Sequence, residues 1–349
     1  MRKVRVVQVG TTHPHASGIF NSIKALPDVF EIVGVCEPSE AERKNLDTDL
    51  YKDTPRLSIE DVLNLKNIDG VIVETTEKDS TRYSKMMADA GFNLHLDKPG
   101  GDDFYEYEEL VNTAKQKGLT FHTGYMYRFN PAVKKTIELV KNGELGDIYA
   151  VDAQMCICLE EKAVKGLKKF NGGMMEFLGC HMLDLVLSVL GMPDKVLPMC
   201  YATHKYDTDA LDYGMAALIY KNASAVVRSS AVDVNGFIRR QFVVCGTKGS
   251  VEIKPMEMFG PRSMTSDMNV TFDSEKNNPC FDFSEKLELE PYQRYDDMMI
   301  DFAEIISGMH ENSYSYEHEI NLKKLIGLAG RTGEKLYRGV FEEPAYKKL

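Results

Sequence analysis

The rhythm of secondary structure changes once along this chain, near residue 125, and that change constrains the fold more than any other feature. Before it, short β-branched runs alternate with helical stretches, the signature of a parallel sheet covered by helices. Lys3–Val9 alternates as a strand, and Ala16–Leu26 carries Ile19, Phe20, Ile23 and Leu26 on one helical face. Glu31–Cys36, Gly70–Glu74, Asn93–Leu96 and Thr120–Gly124 are nearly continuous apolar runs, as strands buried on both faces require. A polar helix is expected from about Ser39, with further helices over Ser80–Ala90 and Phe104–Lys117. Gly91 and Gly118 mark helix ends, where a left-handed residue costs least.

After the change, helices over Pro131–Asn142 and Met174–Leu190 flank a strand at Ile148–Ile157. Strand candidates then follow one another directly: Lys195–Tyr206, Gly214–Tyr220, Ser224–Ala231, Gln241–Cys245 and Ser250–Lys254. Thr247-Lys248-Gly249 is a tight-turn signal between the last two. Residues 255–290 read as loop with one strand at Val270–Phe272, and helices over Tyr292–Ser307 and Ile320–Arg338 close the chain. The fold class is therefore α/β: a parallel-sheet domain over 1–125, then an α+β domain with a large open, mostly antiparallel sheet over 126–349. The last helix is free to pack back on the first domain.

A chain of 349 residues suits two domains. Its net charge of −11 argues against nucleic-acid or anionic-membrane partners, which require clustered positive charge. No apolar run is long enough for a membrane span. Met1–Gly10 runs straight into a strand pattern without the apolar core of a signal peptide, and the 7 cysteines read as buried thiols. A cytoplasmic location follows as an expectation. Cys156 and Cys158 share a strand face, but no four-ligand zinc set can be assembled around them, so no metal is expected.

A strand ending at Val9-Gly10 and feeding a helix is where a dinucleotide-binding fold places its phosphate turn. The turn reads Gly10-Thr11-Thr12-His13-Pro14-His15, with Thr12 and His15 where G-x-G-x-x-G has its second and third glycines. A plain strand–helix turn is the alternative. Glu37 ends the second strand, 27 positions after Gly10. A carboxylate there accepts bonds from ribose hydroxyls and repels a 2′-phosphate, which favours NAD over NADP. Arg43 nearby could instead serve that phosphate. His13 and His15 are candidate cofactor contacts.

Asp97-Lys98-Pro99 follows a buried strand at its carboxyl end, where open α/β sheets bind ligands. A lysine beside a carboxylate there can serve proton transfer, although a Lys-Pro pair is commonly a surface loop. His181 and Asp184, three apart behind a glycine-opened helix start, share one helical face. They form either an acid–base pair or a hydrogen-bonded core histidine with its neighbour. Tyr127, Tyr292 and Tyr295 could present hydroxyls to a polyol.

In order along the chain, VVQVG, Glu37, DGVIVETT, AGFNLHLDKP, YRFNP, NGELGDIYAV, GGMMEFLGCHMLD and CGTKGSVEI resemble the glucose–fructose oxidoreductase / inositol dehydrogenase (Gfo/Idh/MocA) family. The block ending at Lys98-Pro99 is similar in spacing to that family's AGKHVLCEKP, with Asp97 for the usual Glu. The resemblance implies a Rossmann domain, hydride transfer between NAD(P) and a sugar, cyclitol or related polyol, and a homodimer or homotetramer built by the open sheet. It also implies catalytic roles for Lys98 and His181, with Asp184 in support. Cofactor contacts are expected at Gly10, Thr11, Thr12, His13, His15, Glu37, Thr75, Asp97 and Lys98, and substrate contacts at Tyr127 and Tyr295. The chain departs from the family at Phe177, where an Asp is frequent, at Ser80 in place of a His, and in the GTTHPH turn. A nucleotide-binding sensor without turnover, or an enzyme oxidising a sugar transiently for elimination or hydrolysis, are the other readings.

Overall fold

The computed structural model describes residues 2–261, 263–273 and 283–330. Its first elements are β1 (Val4–Val9), α1 (Ala16–Ala25), β2 (Phe30–Cys36), α2 (Ile59–Asn64), β3 (Gly70–Val73), α3 (Glu77–Asp89), β4 (Asn93–Leu96), α4 (Phe104–Lys117) and β5 (Phe121–Thr123). The five strands pair in parallel in the order β2-β1-β3-β4-β5. All four residues of β3 are buried, which is why its sequence is apolar without alternation. Asp103 caps α4 through the Tyr105 and Glu106 amides, and Gly118 ends it at φ 64. The polar stretch after Ser39 forms 3-10 turns over Glu40–Asp47 instead of the expected α-helix. Only Leu46 is buried there, too little to anchor an apolar stripe.

The chain continues through α5 (Pro131–Lys141), β6 (Ile148–Cys156), α6 (Glu161–Gly166), α7 (Cys180–Leu190), β7 (Lys195–Tyr201), β8 (Tyr213–Ile219), β9 (Ser224–Ser230), β10 (Gln241–Gly246) and β11 (Gly249–Ile253). The two-residue strands β12 (Met258–Phe259) and β13 (Met264–Thr265) pair with each other, and β14 (Met268–Phe272) and β15 (Glu285–Leu287) extend the main sheet. That sheet has the order β15-β14-β11-β10-β6-β9-β8-β7 among the described residues. Its neighbours are antiparallel apart from β6 and β9, which run parallel. Val151, Ala153, Val227, Phe242 and Val244 are buried on the face that meets α7 and the turn before it. On the other face Leu197 lies opposite Ala217, Met199 opposite Met215, and Tyr201 opposite Tyr213.

The expected single helix Met174–Leu190 begins instead as a π-helical turn, Met175–Gly179, before α7. A Cβ on Gly179 would come within 2.5 Å of the Met175 sulfur, so glycine permits the wider turn. Two helices finish the described chain, α8 (Asp296–Ile306) and α9 (Tyr316–Ala329). The first starts later than expected because Tyr292 pairs with Met264 as a bridge. The expected helical stretch 331–338 lies outside the described residues.

Two compact units result among the described residues, 2–129 with Gln293–Lys323, and Asn130–Tyr292 with 324–330. Helix α8 belongs to the first, where Phe302 and Ile306 cover Gly70 so closely that a Cβ there would meet each at 2.9 Å.

Candidate active site

In the first unit the carboxyl ends of β1, β2, β3 and β4 gather most of the residues singled out from the sequence. Gly10 takes φ 97 at the end of β1, and a Cβ there would collide with the Glu74–Thr75 backbone. The turn that follows is internally bonded. The Thr11 amide donates to Glu37 Oε2 at 2.8 Å, and the Thr12 and His13 amides donate to the Glu74 carbonyl at 3.2 and 3.0 Å. Pro14 has no amide hydrogen to offer.

Glu37 already accepts on both of its oxygens. Besides the Thr11 amide, its Oε2 accepts the Thr11 hydroxyl at 2.6 Å, and its Oε1 accepts the Ser39 amide at 2.9 Å. Glu37 also lines a cavity of about 570 Å³ together with Arg43, Arg56 and Arg82. Arg56 is paired with Asp47 at 2.7 Å, whereas Arg43 makes no ion pair among the described residues. The carboxylate and the cations named as opposing determinants of cofactor choice therefore share one wall.

At the ends of β3 and β4 the charges are more deeply buried. His13 Nε2 faces the Lys98 carbonyl at 3.1 Å, and its Nδ1 faces Asp97 at 3.2 Å and Glu74 at 3.5 Å. His15 Nδ1 meets the two Asp97 oxygens at 2.9 and 3.2 Å. Neither oxygen of Glu74 has a hydrogen-bond partner among the described residues, and His95 Nε2 stands 4.0 Å away. Burial opposes a charge on His13, but Asp97 and Glu74 outweigh it and raise the imidazole to about 10. Burial, then the charge of Asp97, pushes Glu74 up to about 8. Burial also opposes ionisation of Asp97, yet His13 and His15 hold it well below the usual carboxylate value. For His15 burial wins over Asp97 and lowers its pKa.

Lys98 is 3% exposed and joined to Pro99 by a cis peptide. The segment after it is held from behind: Lys323 Nζ donates to the Pro99 and Gly101 carbonyls, and Thr81 Oγ1 donates to the Gly100 carbonyl at 3.0 Å. Thr75 is buried beside Gly10. Tyr295 is brought to the same turn, its ring centroid 5.6 Å from that of His15 and its edge against Gly18. Tyr127 is only 3% exposed, within the short helical turn Met126–Phe129. Arg128 pairs with Glu319 at 2.8 Å in the first unit, while Asn130 caps α5 in the second, so the RFNP run has structural duties on both sides.

His181 and Asp184 lie in the second unit, each 1% exposed, on α7 directly after the π-helical turn. Phe177 packs at a tilt against Phe170, with ring centroids 5.1 Å apart, beside an apolar cluster. Glu176 accepts the Gly172 amide at 2.8 Å. Sequence reasoning missed Glu74. Its signal was an acid closing an otherwise apolar strand, where a neighbouring strand end was already under suspicion.

Comparison with known proteins agrees with this layout. Residues 4–125 match the family described as oxidoreductases with an NAD-binding Rossmann fold, and residues 133–252 match the GFO/IDH/MocA C-terminal domain. The chain is 29% identical over 194 residues to the uncharacterized oxidoreductase YhhX of Escherichia coli, covering 55% of this chain and 54% of that protein. It is 26% identical over 187 residues to D-xylose 1-dehydrogenase (NADP(+)) 2 of Haloferax volcanii, covering 53% and 55%. The chain thus spans about half the length of these relatives. The aldose-aldose oxidoreductase structure from Caulobacter crescentus, complexed with glycerol, superposes with a TM-score of 0.77 at 18% identity, over 93% of this chain and 96% of that one.

Proposed function

Since the chain belongs to the Gfo/Idh/MocA oxidoreductases, NAD(P)-binding proteins with sugar dehydrogenases among its relatives, we propose that it moves a hydride between NAD and a hydroxyl carbon of a sugar, cyclitol or related polyol. The observation that carries the reading is Lys98, buried at the carboxyl end of β4 in the same parallel sheet whose β1 and β2 ends supply the Gly10 turn and the Glu37-lined cavity. Gly10 lets the β1 turn lie tight against the Glu74–Thr75 backbone, and Glu37, with lone-pair capacity left after three bonds, receives the ribose hydroxyls. When bound, the nicotinamide supplies the hydride acceptor or donor. Thr11, Thr12, His13, His15, Thr75 and Asp97 shape the bed beneath it.

Lys98 directs an ammonium to the reacting oxygen and stabilises its developing charge. His181 takes the hydroxyl proton as general base, with Asp184 orienting the ring from the same helix. Tyr295 and Tyr127 are assigned to substrate hydroxyls. The outer sheet face carries exposed Met199, Tyr201, Ile219 and Val226, a surface suited to a homodimer or homotetramer. No described helix is long and apolar enough to cross a membrane, and Cys36, Cys156, Cys158, Cys200 and Cys245 are free thiols, which suits the reducing cytoplasm.

The test is a panel of sugars and cyclitols with NAD and NADP, following reduced-cofactor absorbance for wild type, Lys98→Met and His181→Ala. Turnover lost in each variant supports the assignment. Tight cofactor binding with no turnover on any member moves the reading to a sensor or to transient oxidation.

A further inference from the structure

We infer that Glu74, His95, His122 and Asp301 form a proton relay through the first unit, joining the buried acids at the strand ends to solvent at His310. The relay rests on the proposed oxidoreduction only for the origin of its proton. Oxidising a hydroxyl carbon sends a hydride to the nicotinamide and leaves one proton to be carried off.

His95 and His122 stand opposite each other on β4 and β5, with their Nδ1 atoms 2.7 Å apart. Phe302 packs against both rings, at centroid distances of 5.7 and 5.4 Å, and Phe129 against His122 at 5.8 Å. The line continues from His122 Nε2 to Asp301 Oδ2 at 3.4 Å, and from Asp301 Oδ1 to His310 Nε2 at 3.4 Å. It leads outward: Glu74, His95 and His122 are buried, whereas the side chains of Asp301 and His310 are 27% and 38% exposed. His310 also faces Glu304 at 3.3 Å and lines a cavity of about 650 Å³.

The hydrogens along this line have one direction. An ionised Asp301 can only accept, so His122 Nε2 carries the hydrogen of its ring. His122 Nδ1 is then a lone pair, and it accepts from His95 Nδ1–H. That leaves a lone pair on His95 Nε2, 4.0 Å from Glu74 Oε1. Its match is a protonated Glu74, and burial, then the charge of Asp97, pushes that acid up to about 8. Neither oxygen of Glu74 nor His95 Nε2 has a hydrogen-bond partner among the described residues, so the two facing groups mark the open step. An approach of about 1 Å closes it.

Closure moves one proton outward. Glu74 gives its hydrogen to His95 Nε2, His95 Nδ1 gives its own to His122 Nδ1, and His122 Nε2 gives its own to Asp301. Each imidazole changes tautomer and neither becomes a cation. Burial, then the charge of His122, lowers His95 to about 3, which a stepwise imidazolium would contradict and a concerted shift does not. Asp301 hands the proton to His310 or to water. On the inner side Glu74 faces the cluster of His13, His15 and Asp97, with His13 Nδ1 3.5 Å away, and the hydroxyls of Tyr51 and Tyr295 complete its titratable surroundings.

Infrared difference spectroscopy of the full-length protein reads the relay without cofactor or substrate. After an upward pH jump across about 8, the carbonyl stretch of the protonated acid should decay, and its absence in Glu74→Gln assigns it. His122→Phe, which keeps a ring between Phe129 and Phe302, should slow that decay by about tenfold or more. His310→Ala, at the surface, should slow it less and recover in imidazole buffer. Nitrogen NMR of the wild type, which needs no variant, should find hydrogen on His95 Nδ1 and His122 Nε2 and lone pairs on their other nitrogens. A wild-type decay rate in His122→Phe overturns the relay, and so does a doubly protonated His95 or His122 at neutral pH. In turnover followed with an indicator dye, proton release should keep pace with cofactor reduction in wild type and lag behind it in His122→Phe; release in step in both would also overturn the relay. Absence of turnover on every polyol counts against the oxidoreduction, while the infrared and NMR outcomes still decide the relay.

Discussion

The strand ends of the first unit and the outer sheet face of the second break opposite rules of protein interiors. At the strand ends charge is hidden: His13, Glu74, Asp97 and Lys98 are 5%, 0%, 3% and 3% exposed. On the sheet face apolar side chains are shown: Met199, Tyr201, Ile219 and Val226 are 44%, 53%, 37% and 38% exposed. Buried charge is unfavourable unless it is paired, and exposed apolar surface is unfavourable unless it is covered. Each region is therefore organised for something outside the chain itself. The first suits small charged molecules and the second suits a large neutral surface, so a perturbation of one should leave the other's readout alone.

The largest effect is expected from Lys98→Met, which removes the buried ammonium. Turnover on any polyol accepted by the wild type should fall by about 10²–10⁴, with cofactor affinity and assembly unchanged, and His181→Ala should behave alike. Full activity in either variant rejects that residue's role. Next comes Glu37→Ala, for which calorimetric titration should show NAD bound roughly 10–100-fold more weakly, about 1–3 kcal/mol. Wild type that binds NADP as tightly as NAD would transfer the decision to Arg43.

On the apolar side, Met199→Asp with Val226→Asp should give a monomer of 39.4 kDa by light scattering while NAD still binds. A wild type that is already monomeric would break the comparison. The smallest effect is a labelling order that leaves function intact. Burial pushes the Cys36 thiol up to about 12 and Cys156 to about 11, whereas Cys158 is exposed. A thiol reagent at about pH 8 should therefore modify Cys158 before Cys36 or Cys156. Faster loss of Cys36 would contradict the buried packing at the end of β2.

Legibility differed with the range of the interaction. Gly10, Glu37 and Lys98 stood out because each closes an apolar strand, and strand ends of a parallel sheet are where ligands bind. Glu74 closes a strand as well, but its burial depends on the Gly10 turn, which arrives from a distant part of the chain. The short strands β12 and β13 are two residues each, below any readable period. The parallel pairing of β6 with β9 was hidden for another reason. Each strand alternates correctly by itself, and alternation says nothing about direction. Phe177 was read as a departure from the family, and its packing against Phe170 gives that departure an apolar purpose.

The first unit is closed by a helix made near the end of the chain, and this bears on how a ribosome must deliver it. Gly70 is shaped to receive Phe302 and Ile306, so the nascent unit emerges with that groove bare. It waits while Asn130–Tyr292 is synthesised, on the order of ten seconds or more at ordinary elongation speeds. Early in the same interval β6 has been made while its two neighbours, β9 and β10, have yet to be translated. Completion of both units thus awaits translation of β10 and α8, and a chain stalled between β6 and β9 would present a bare groove and an unpaired central strand together.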